Sequence, residues 1–393
     1  MTAPMGDTRA MDATLAAVIG GDPYDALRSP LARMLGRTRR LRQLLIQSRK
    51  RLPLPGSAFG LQSFAMAKSV ACRLIAESRR AGAGEDGRDV EAWVETLSRA
   101  ENLARLGDGA WGYEFDVQTR WSYYPAGSPN IIATYFAARA YLQAWAATGQ
   151  REPIERAEES GAFMVRDLLR TGERTSFAYN FGSDRLVHNA NLLGAGLVAA
   201  MGRLLERAEW LAVAREAAEA SLEAQRDDGS WPYGEGGDLG WADNFHTAYV
   251  LDGLLLLWLA TRDAAVRAAL ERGVEFWTTR FFGPNGEPRY FPDQPRPYDI
   301  HSAATAVDVG SRLAAWDFAD EALPLRVAEW TRAHLVAPNG RTYFQAHRLW
   351  TDKRTFPRWG DAHWALAEAS LCLLAARVPD SLEAAVHHAG GAT

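Results

Sequence analysis

The sequence predicts an all-α fold: an (α/α)6 toroid, in which six helical hairpins form an inner and an outer ring, with short β-hairpin loops on one rim. Three observations predict it. From about residue 55, polar and apolar helical segments alternate with a period near 58 residues. The apolar segments carry hydrophobic or small residues on most faces, so other helices must surround them. A Gly-rich, aromatic loop precedes each apolar segment, which gathers the loops at one end of the ring.

The chain begins with a basic segment. Between Ala26 and Ala76 lie eleven of its 44 Lys and Arg and none of its 48 Asp and Glu. Residues 1–54, with the stretch "RSPLARMLGRTRRLRQLLIQSRKRLP", read as a partly helical N-terminal extension. Leu31, Met34, Leu35, Leu41, Leu44 and Leu45 can share one apolar stripe with Arg on the other faces. Such a stripe can dock peripherally on an anionic membrane surface through residues 26–54, or pack against the acidic body of its own domain. That acidic body would repel nucleic acid, which is not an expected partner.

Residues 55–393 read as the toroid and the catalytic domain. The outer helices are amphipathic, as in "DVEAWVETLSRAENLAR", "EPIERAEESGAFMVRDLL", "EWLAVAREAAEASLEAQ" and "DAAVRAALERGVEFWTTRF". The inner helices are "NIIATYFAARAYLQAWAA", "NANLLGAGLVAAMGRLL", "NFHTAYVLDGLLLLWLA", "DIHSAATAVDVGSRLAAW" and "DAHWALAEASLCLLAA", with a weaker first copy, "FGLQSFAMAKSVACRLIAES". An open solenoid would need polar capping repeats at both ends, and the terminal repeats lack that character. The loops "GDGAWGYEFD", "GERTSFAYNFG", "DDGSWPYGEG", "NGEPRYFPDQ" and "NGRTYFQAHR" pair turn residues with alternating aromatics, the signature of small hairpins.

The only two cysteines, Cys72 and Cys372, both lie in apolar helical runs and support no disulfide framework. The first 25 residues hold no charged start followed by an apolar run, and no uncharged run reaches spanning length. A cytoplasmic protein is expected, membrane-associated if the basic segment docks.

Aligning the inner helices by sequence gives two polar columns. The first is Asn130, Asn189, Asn244, Asp299 and Asp361, residue types that cap helix N-termini. The second, two residues on, is Ile132, Asn191, His246, His301 and His363. With only eight His in the chain, three in one column suggest a shared role. A helix N-terminus disfavours imidazolium, so these His are expected neutral, the form that serves as base, donor or metal ligand. Around them the rim supplies Trp111, Tyr113, Glu114, Asp116, Arg120, Arg185, His188, Trp231, Tyr233, Arg296 and Arg358. An aromatic cavity of mixed charge suits a polar, ring-shaped and anionic ligand, since Arg reads carboxylates in bidentate fashion.

The stretch "SLEAQRDDGSWPYGE" resembles the Gln-Trp repeat of the terpenoid cyclase and protein prenyltransferase superfamily. The plan is also similar to that of six-hairpin glycosidases, polysaccharide lyases and sugar epimerases. The chain lacks the Asp-x-Asp-Asp motif of terpene cyclases. The prenyltransferase resemblance implies a zinc set at Asp299, His301 and His363, with His in place of the family's Cys; Asp plus two His is an acceptable set with an open position. The resemblance to uronate lyases implies that Asn or Arg neutralises the carboxylate while His and Tyr serve as base and acid.

The expected function is an enzyme acting on an acidic saccharide or polysaccharide, as a uronate-type epimerase or lyase. His246 or His301 would be the base, and Tyr113 or Tyr233 the acid. Asn189 and Asn244, or a rim Arg, would stabilise the enolate-like charge, with Asn130 and Asn191 among the substrate-binding groups. His363 and Asp361 complete the candidate catalytic set. A hydrolase variant would pair Asp116 or Glu114 with Asp243, Asp299 or Asp361. The alternatives are an isoprenoid cyclase or prenyltransferase relative, with a divalent metal such as zinc as its cofactor, and a non-catalytic glycan-binding toroid.

Overall fold

The structure, a computed structural model, describes residues 15–36, 38–85, 89–99, 106–119, 122–183 and 185–390. Six helices form the inner ring: α3 (Ala67–Gly82), α5 (Ile131–Thr148), α7 (His188–Leu204), α9 (Asn244–Thr261), α11 (Ile300–Ala315) and α13 (Ala362–Ala376). Each packs on the next, and α13 packs back on α3, so the ring is closed. Five of the described helices lie outside it: α4 (Val90–Ser98), α6 (Arg151–Phe163), α8 (Ala208–Leu222), α10 (Ala264–Arg280) and α12 (Ala322–Leu335). The inner helices are apolar all round for the expected reason. In α5 every residue from Ile131 to Ala144 is buried. Between α7 and α9 even a methyl group is too large: a Cβ on Gly196 would lie 2.3 Å from the Gly253 carbonyl oxygen, and one on Gly253 2.4 Å from that of Leu192. Glycine there lets the two backbones touch.

The last helix, α14 (Ser381–Gly390), does not join the outer layer. It packs across α5, α7 and α9. A buried charge network holds it there. Arg312 of α11 bridges Asp252 of α9 at 2.6 Å and also reaches Glu383 of α14. Arg139 of α5 pairs with Asp252 at 2.7 Å, and Arg79 of α3 pairs with Asp380 at 2.7 Å and Asp308 at 2.6 Å. These charges offset one another's desolvation only as a set. They tie α3, α5, α9 and α11 to the start of α14.

The N-terminal ends of the inner helices carry the hairpins. β1 (Val117–Gln118) pairs with β2 (Tyr123–Tyr124), β3 (Leu169–Arg170) with β4 (Ser176–Phe177), and β5 (Tyr298–Asp299), β6 (Gln345–Ala346) and β7 (Thr351–Asp352) form an antiparallel meander. One backbone bond recurs around the ring. Ile131 donates to the Tyr179 carbonyl at 2.9 Å, His188 to Tyr233 at 3.1 Å, Asn244 to Tyr290 at 3.0 Å and Ile300 to Phe344 at 3.2 Å. Four of the inner helices thus anchor their first N–H on an aromatic residue of the following loop, and those aromatics are brought to the rim; in α3 the first N–H goes to Glu114 instead.

The basic segment lies on this rim. It forms two helices, α1 (Pro30–Leu35) and α2 (Arg39–Arg51), with N-caps from Ser29 and Thr38. The break between them divides the expected apolar stripe. Arg49 pairs with Asp25 in the interior at 3.0 Å, and Arg354 donates to the Arg49 and Lys50 carbonyls at 2.7 and 2.8 Å. Leu31, Met34, Leu41 and Leu44 remain exposed, as do Arg39 and Arg40.

Candidate active site

The recurrent backbone bond sets the true register of the inner helices. Ile131, His188, Asn244 and Ile300 are equivalent, so the next residue in each, Ile132, Asn189, Phe245 and His301, occupies one shared position. All four line a single cavity of about 550 Å3 at the centre of the rim. His246 stands one residue later than His301. The expected single column of three His is therefore corrected: His246 and His301 reach the cavity from different turn positions.

Two aspartates and one asparagine do the capping. Asn130 accepts from the Ala133 N–H at 2.9 Å, Asp243 from His246 at 2.9 Å and Asp299 from His301 at 2.8 Å. Asn244, expected as a cap and an enolate stabiliser, instead accepts from the Trp277 indole at 2.8 Å and donates to the Arg289 carbonyl at 3.0 Å, away from the cavity. Asn191 is spent on the Phe177 N–H, the Ala217 carbonyl and Ser221. Asp361 accepts from the Thr342 backbone and hydroxyl, both at 2.8 Å, and pairs with Arg341 at 2.7 Å.

The three histidines have three different situations. His246 has 22% of its side chain exposed and lines the cavity. Its Nδ1 is 2.8 Å from the second oxygen of Asp243, whose side chain is 1% exposed. Asp243 therefore caps α9 with one oxygen and holds the imidazole with the other, leaving Nε2 for the cavity. His301 is buried, and both of its nitrogens are taken. Nδ1–H donates to the Trp359 carbonyl at 3.0 Å, so Nε2 accepts from the Tyr249 hydroxyl, also at 3.0 Å. Burial, aided by the nearby Lys68, holds the His301 pKa well below the usual histidine range. His363 lies behind it, ring against ring at 4.2 Å, with the Cys72 thiol 3.8 Å from its Nε2 and its pKa also lowered by burial.

The expected metal set does not assemble. Asp299 gives its oxygens to the His301 N–H, to Gln345 at 2.8 Å and to the Trp359 indole at 3.0 Å. Among the described residues no group of three His, Cys, Asp or Glu is placed to hold a metal. These residues do not fit a zinc ion.

Several other expected contacts fall elsewhere. Trp111 and Trp231 are core side chains, 1% and 2% exposed, and Trp231 donates to the Ser221 carbonyl. His188 is buried against Ser221 at 3.0 Å, and burial lowers its pKa to about 4. Arg296 is exposed and donates to the His347 carbonyl. Asp116 is engaged by the Tyr123 hydroxyl and the Ala126 N–H, both at 2.7 Å, and Glu114 accepts from the Ala67 N–H at 2.5 Å. Arg120 lies outside the described residues. Tyr113, Tyr233, Asn189, Arg358, His246 and His301 do come together in the cavity wall. Burial raises the Tyr113 and Tyr233 pKa values, so both phenols stay protonated. Arg358 is held bidentately by Asp22 at 2.6 and 2.9 Å, which compensates its charge.

Of the other cavity residues, Tyr179 is expected at the rim and Tyr290 lies in a predicted aromatic loop; the rest carry no signal in the sequence. Tyr24, Gln43 and Gln47 come from the basic segment and its flank, and Tyr179, Tyr249, Tyr290, Trp241 and Trp359 extend the aromatic lining. Tyr233 stacks on Trp241 at 4.4 Å and meets the His246 ring edgewise at 4.7 Å. The wide helical turn Pro357–Asp361 delivers Arg358 and Trp359; such π-type turns often occur at functional sites. Lys68, on the first turn of α3, is 4% exposed and also lines the cavity. Burial lowers its pKa to about 7.

No family model matches the chain, and no curated protein sequence matches it significantly. Solved structures do. A cellobiose 2-epimerase from Bacillus thermoamylovorans aligns with a TM-score of 0.58 at 11% identity, covering 79% of this chain and 87% of that one. A GH76 α-mannanase from Bacteroides thetaiotaomicron gives 0.53 at 13%, covering 78% and 85%. A polysaccharide lyase gives 0.54 at 11%, covering 77% and 89%. At such identities the likeness establishes the α/α-toroid fold and carries no activity with it.

Proposed function

We propose that the protein is a carbohydrate-active enzyme that removes a proton from a sugar carbon next to a carboxylate, as a uronate epimerase or lyase, with His246 as the base. The observation that carries this reading is the Asp243–His246 pair set in an aromatic cavity. Asp243 is the only carboxylate among the described residues that line it. Hydrolysis by two carboxylates needs a second acid facing the first. Asp116, Glu114, Asp299 and Asp361 are each held elsewhere, so acid–base chemistry by His and Tyr is favoured. The saccharide character of the three aligned enzymes lends support.

In the proposed reaction the lone pair of His246 Nε2 takes the proton. The electrons of the broken C–H bond move into the carboxylate, giving an enolate-like dianion, and Asn189 faces that charge. The side-chain oxygen of Asn189 has no internal partner, so its amide can orient toward a ligand. Tyr233 is the donor within reach. A proton returned to the opposite face of the carbon inverts the centre. Departure of the β-substituent with its electron pair, together with a proton from Tyr233, instead gives an unsaturated sugar. His301 and Tyr249 position the wall rather than act as base, since both His301 nitrogens are bonded.

The exposed Leu31, Met34, Leu41 and Leu44 beside Arg39 and Arg40, on the segment that also sends Gln43 and Gln47 to the cavity, support seating on an anionic membrane. The aromatic lining also gives the isoprenoid reading its support, because ring faces stabilise cationic intermediates. Turnover of uronate-containing oligosaccharides in 18O-labelled water tests the proposal. Epimerisation or elimination takes up no oxygen from water, so 18O stays at the level that reducing ends reach by exchange without enzyme, and only label above that level counts as incorporation. An 18O-labelled reducing end would assign hydrolysis instead, and isoprenoid turnover with none on any glycan would move the protein to the other class.

A further inference from the structure

Two cations line the cavity, Lys68 and Arg358. Arg358 is neutralised by Asp22 in a bidentate pair. Lys68 is not neutralised: its Nζ donates to the Tyr249 hydroxyl at 3.3 Å and rests 4.1 Å from the centroid of the Phe136 ring. Among the described residues no carboxylate lies within ion-pair distance of it. A buried ammonium without a counter-charge is costly to keep, and a hydroxyl and a ring face offset that cost only in part. The same ring faces and phenols that line the cavity are suited to a sugar. A single amine at its wall that lacks a counter-charge matches a single negative charge on the ligand, whose arrival favours the ammonium form.

We propose that Lys68 is the subsite for the carboxylate of an acidic sugar and selects uronates over neutral sugars. This rests on the reading of the cavity as a saccharide site and adds which group of the sugar faces which wall. The Tyr249 hydroxyl links the subsite to His301. One hydrogen-bonded chain therefore runs from Lys68 through Tyr249 to His301. A charge-assisted hydrogen bond formed out of water contributes about tenfold or more in affinity over its neutral counterpart.

The test is calorimetric titration with two probes, a disaccharide ending in glucuronic acid and the same disaccharide ending in glucose, without turnover being required. The wild-type protein is expected to prefer the acid about tenfold or more. Lys68→Met is expected to bind both alike, with the glucose probe bound as in the wild type. A wild type indifferent to the carboxylate, or a preference that survives in Lys68→Met, overturns the assignment. Should Lys68→Met not fold, Lys68→Gln serves, and the wild-type comparison still decides. Deuterium exchange next to the carboxylate of the acid probe, without tighter binding of that probe than of the glucose one, would leave the proton-transfer reading standing while removing this one. Failure of both probes to bind would strike the saccharide reading itself.

Discussion

Asp243 performs two tasks with one carboxylate, and Asp243→Asn separates them. One oxygen accepts the His246 N–H at 2.9 Å and caps α9; the other holds His246 Nδ1 at 2.8 Å. Asparagine caps about as well as aspartate, so the stability of the variant should stay within about 0.5 kcal/mol of wild type, whereas Asp243→Ala should lose about 1 kcal/mol. The amide group placed where the second oxygen stood would donate to Nδ1. The imidazole proton would then move to Nε2, the nitrogen that must be free to act as base. General-base catalysis contributes about 10²–10⁴-fold, so the rate should fall by that factor, about 3–5 kcal/mol of transition-state stabilisation. The assay is proton exchange at the sugar carbon, followed by NMR beside a denaturant melt of the same sample. A variant with wild-type exchange and wild-type stability would refute the pairing as catalytic. A variant equally slow but unfolded would show only the cap.

Three further outcomes follow from the same coordinates. Glu383→Ala removes a buried anion from Arg312 and Arg139, and urea unfolding should show a loss of about 3–5 kcal/mol. His188 is neutral in the folded chain, its pKa lowered from 6.5 to about 4 by burial. The folded state thus binds fewer protons, and stability should fall as pH drops below 6.5, levelling off near 4, by up to about 3 kcal/mol. His188→Asn should flatten that acid limb, and an unchanged slope would place the loss on other groups. Vesicles rich in anionic phospholipid should sediment the protein, and replacing exposed Arg39 and Arg40 by Gln should weaken this by about 1 kcal/mol per residue. Equal binding to neutral vesicles would remove the electrostatic part of the contact.

The architecture was legible because it rests on periodicity, which many residues report together. Alternating amphipathic and all-apolar helices dictated two layers, and the Gly–aromatic loops dictated one rim. The site was harder to read because it depends on single-residue register. Asn130, Asp243 and Asp299 cap their helices, whereas Asn189 and Asn244 lie inside theirs. Aligning Asn189 and Asn244, rather than Val187 and Asp243, with Asn130 and Asp299 displaces His246 from its true neighbours. The corrective signal was present in the loops. Tyr179, Tyr233, Tyr290 and Phe344 each receive the first N–H of an inner helix, and aligning on them restores the register. Lys68 sits in the weakest repeat, where nothing in the local pattern distinguishes a cavity-facing lysine from a solvated one. The contribution of Tyr24, Gln43 and Gln47 depends on the basic segment folding over the rim, a long-range contact that no local pattern encodes.

The measurement that bears most directly on the central claim is deuterium incorporation from heavy water into an acidic oligosaccharide, compared between the wild type and His246→Gln. The account predicts deuterium at the carbon next to the carboxylate with the wild-type protein and a loss of about 10²-fold or more in the variant. Turnover of that saccharide without deuterium at that carbon, or exchange that persists in His246→Gln, would contradict it.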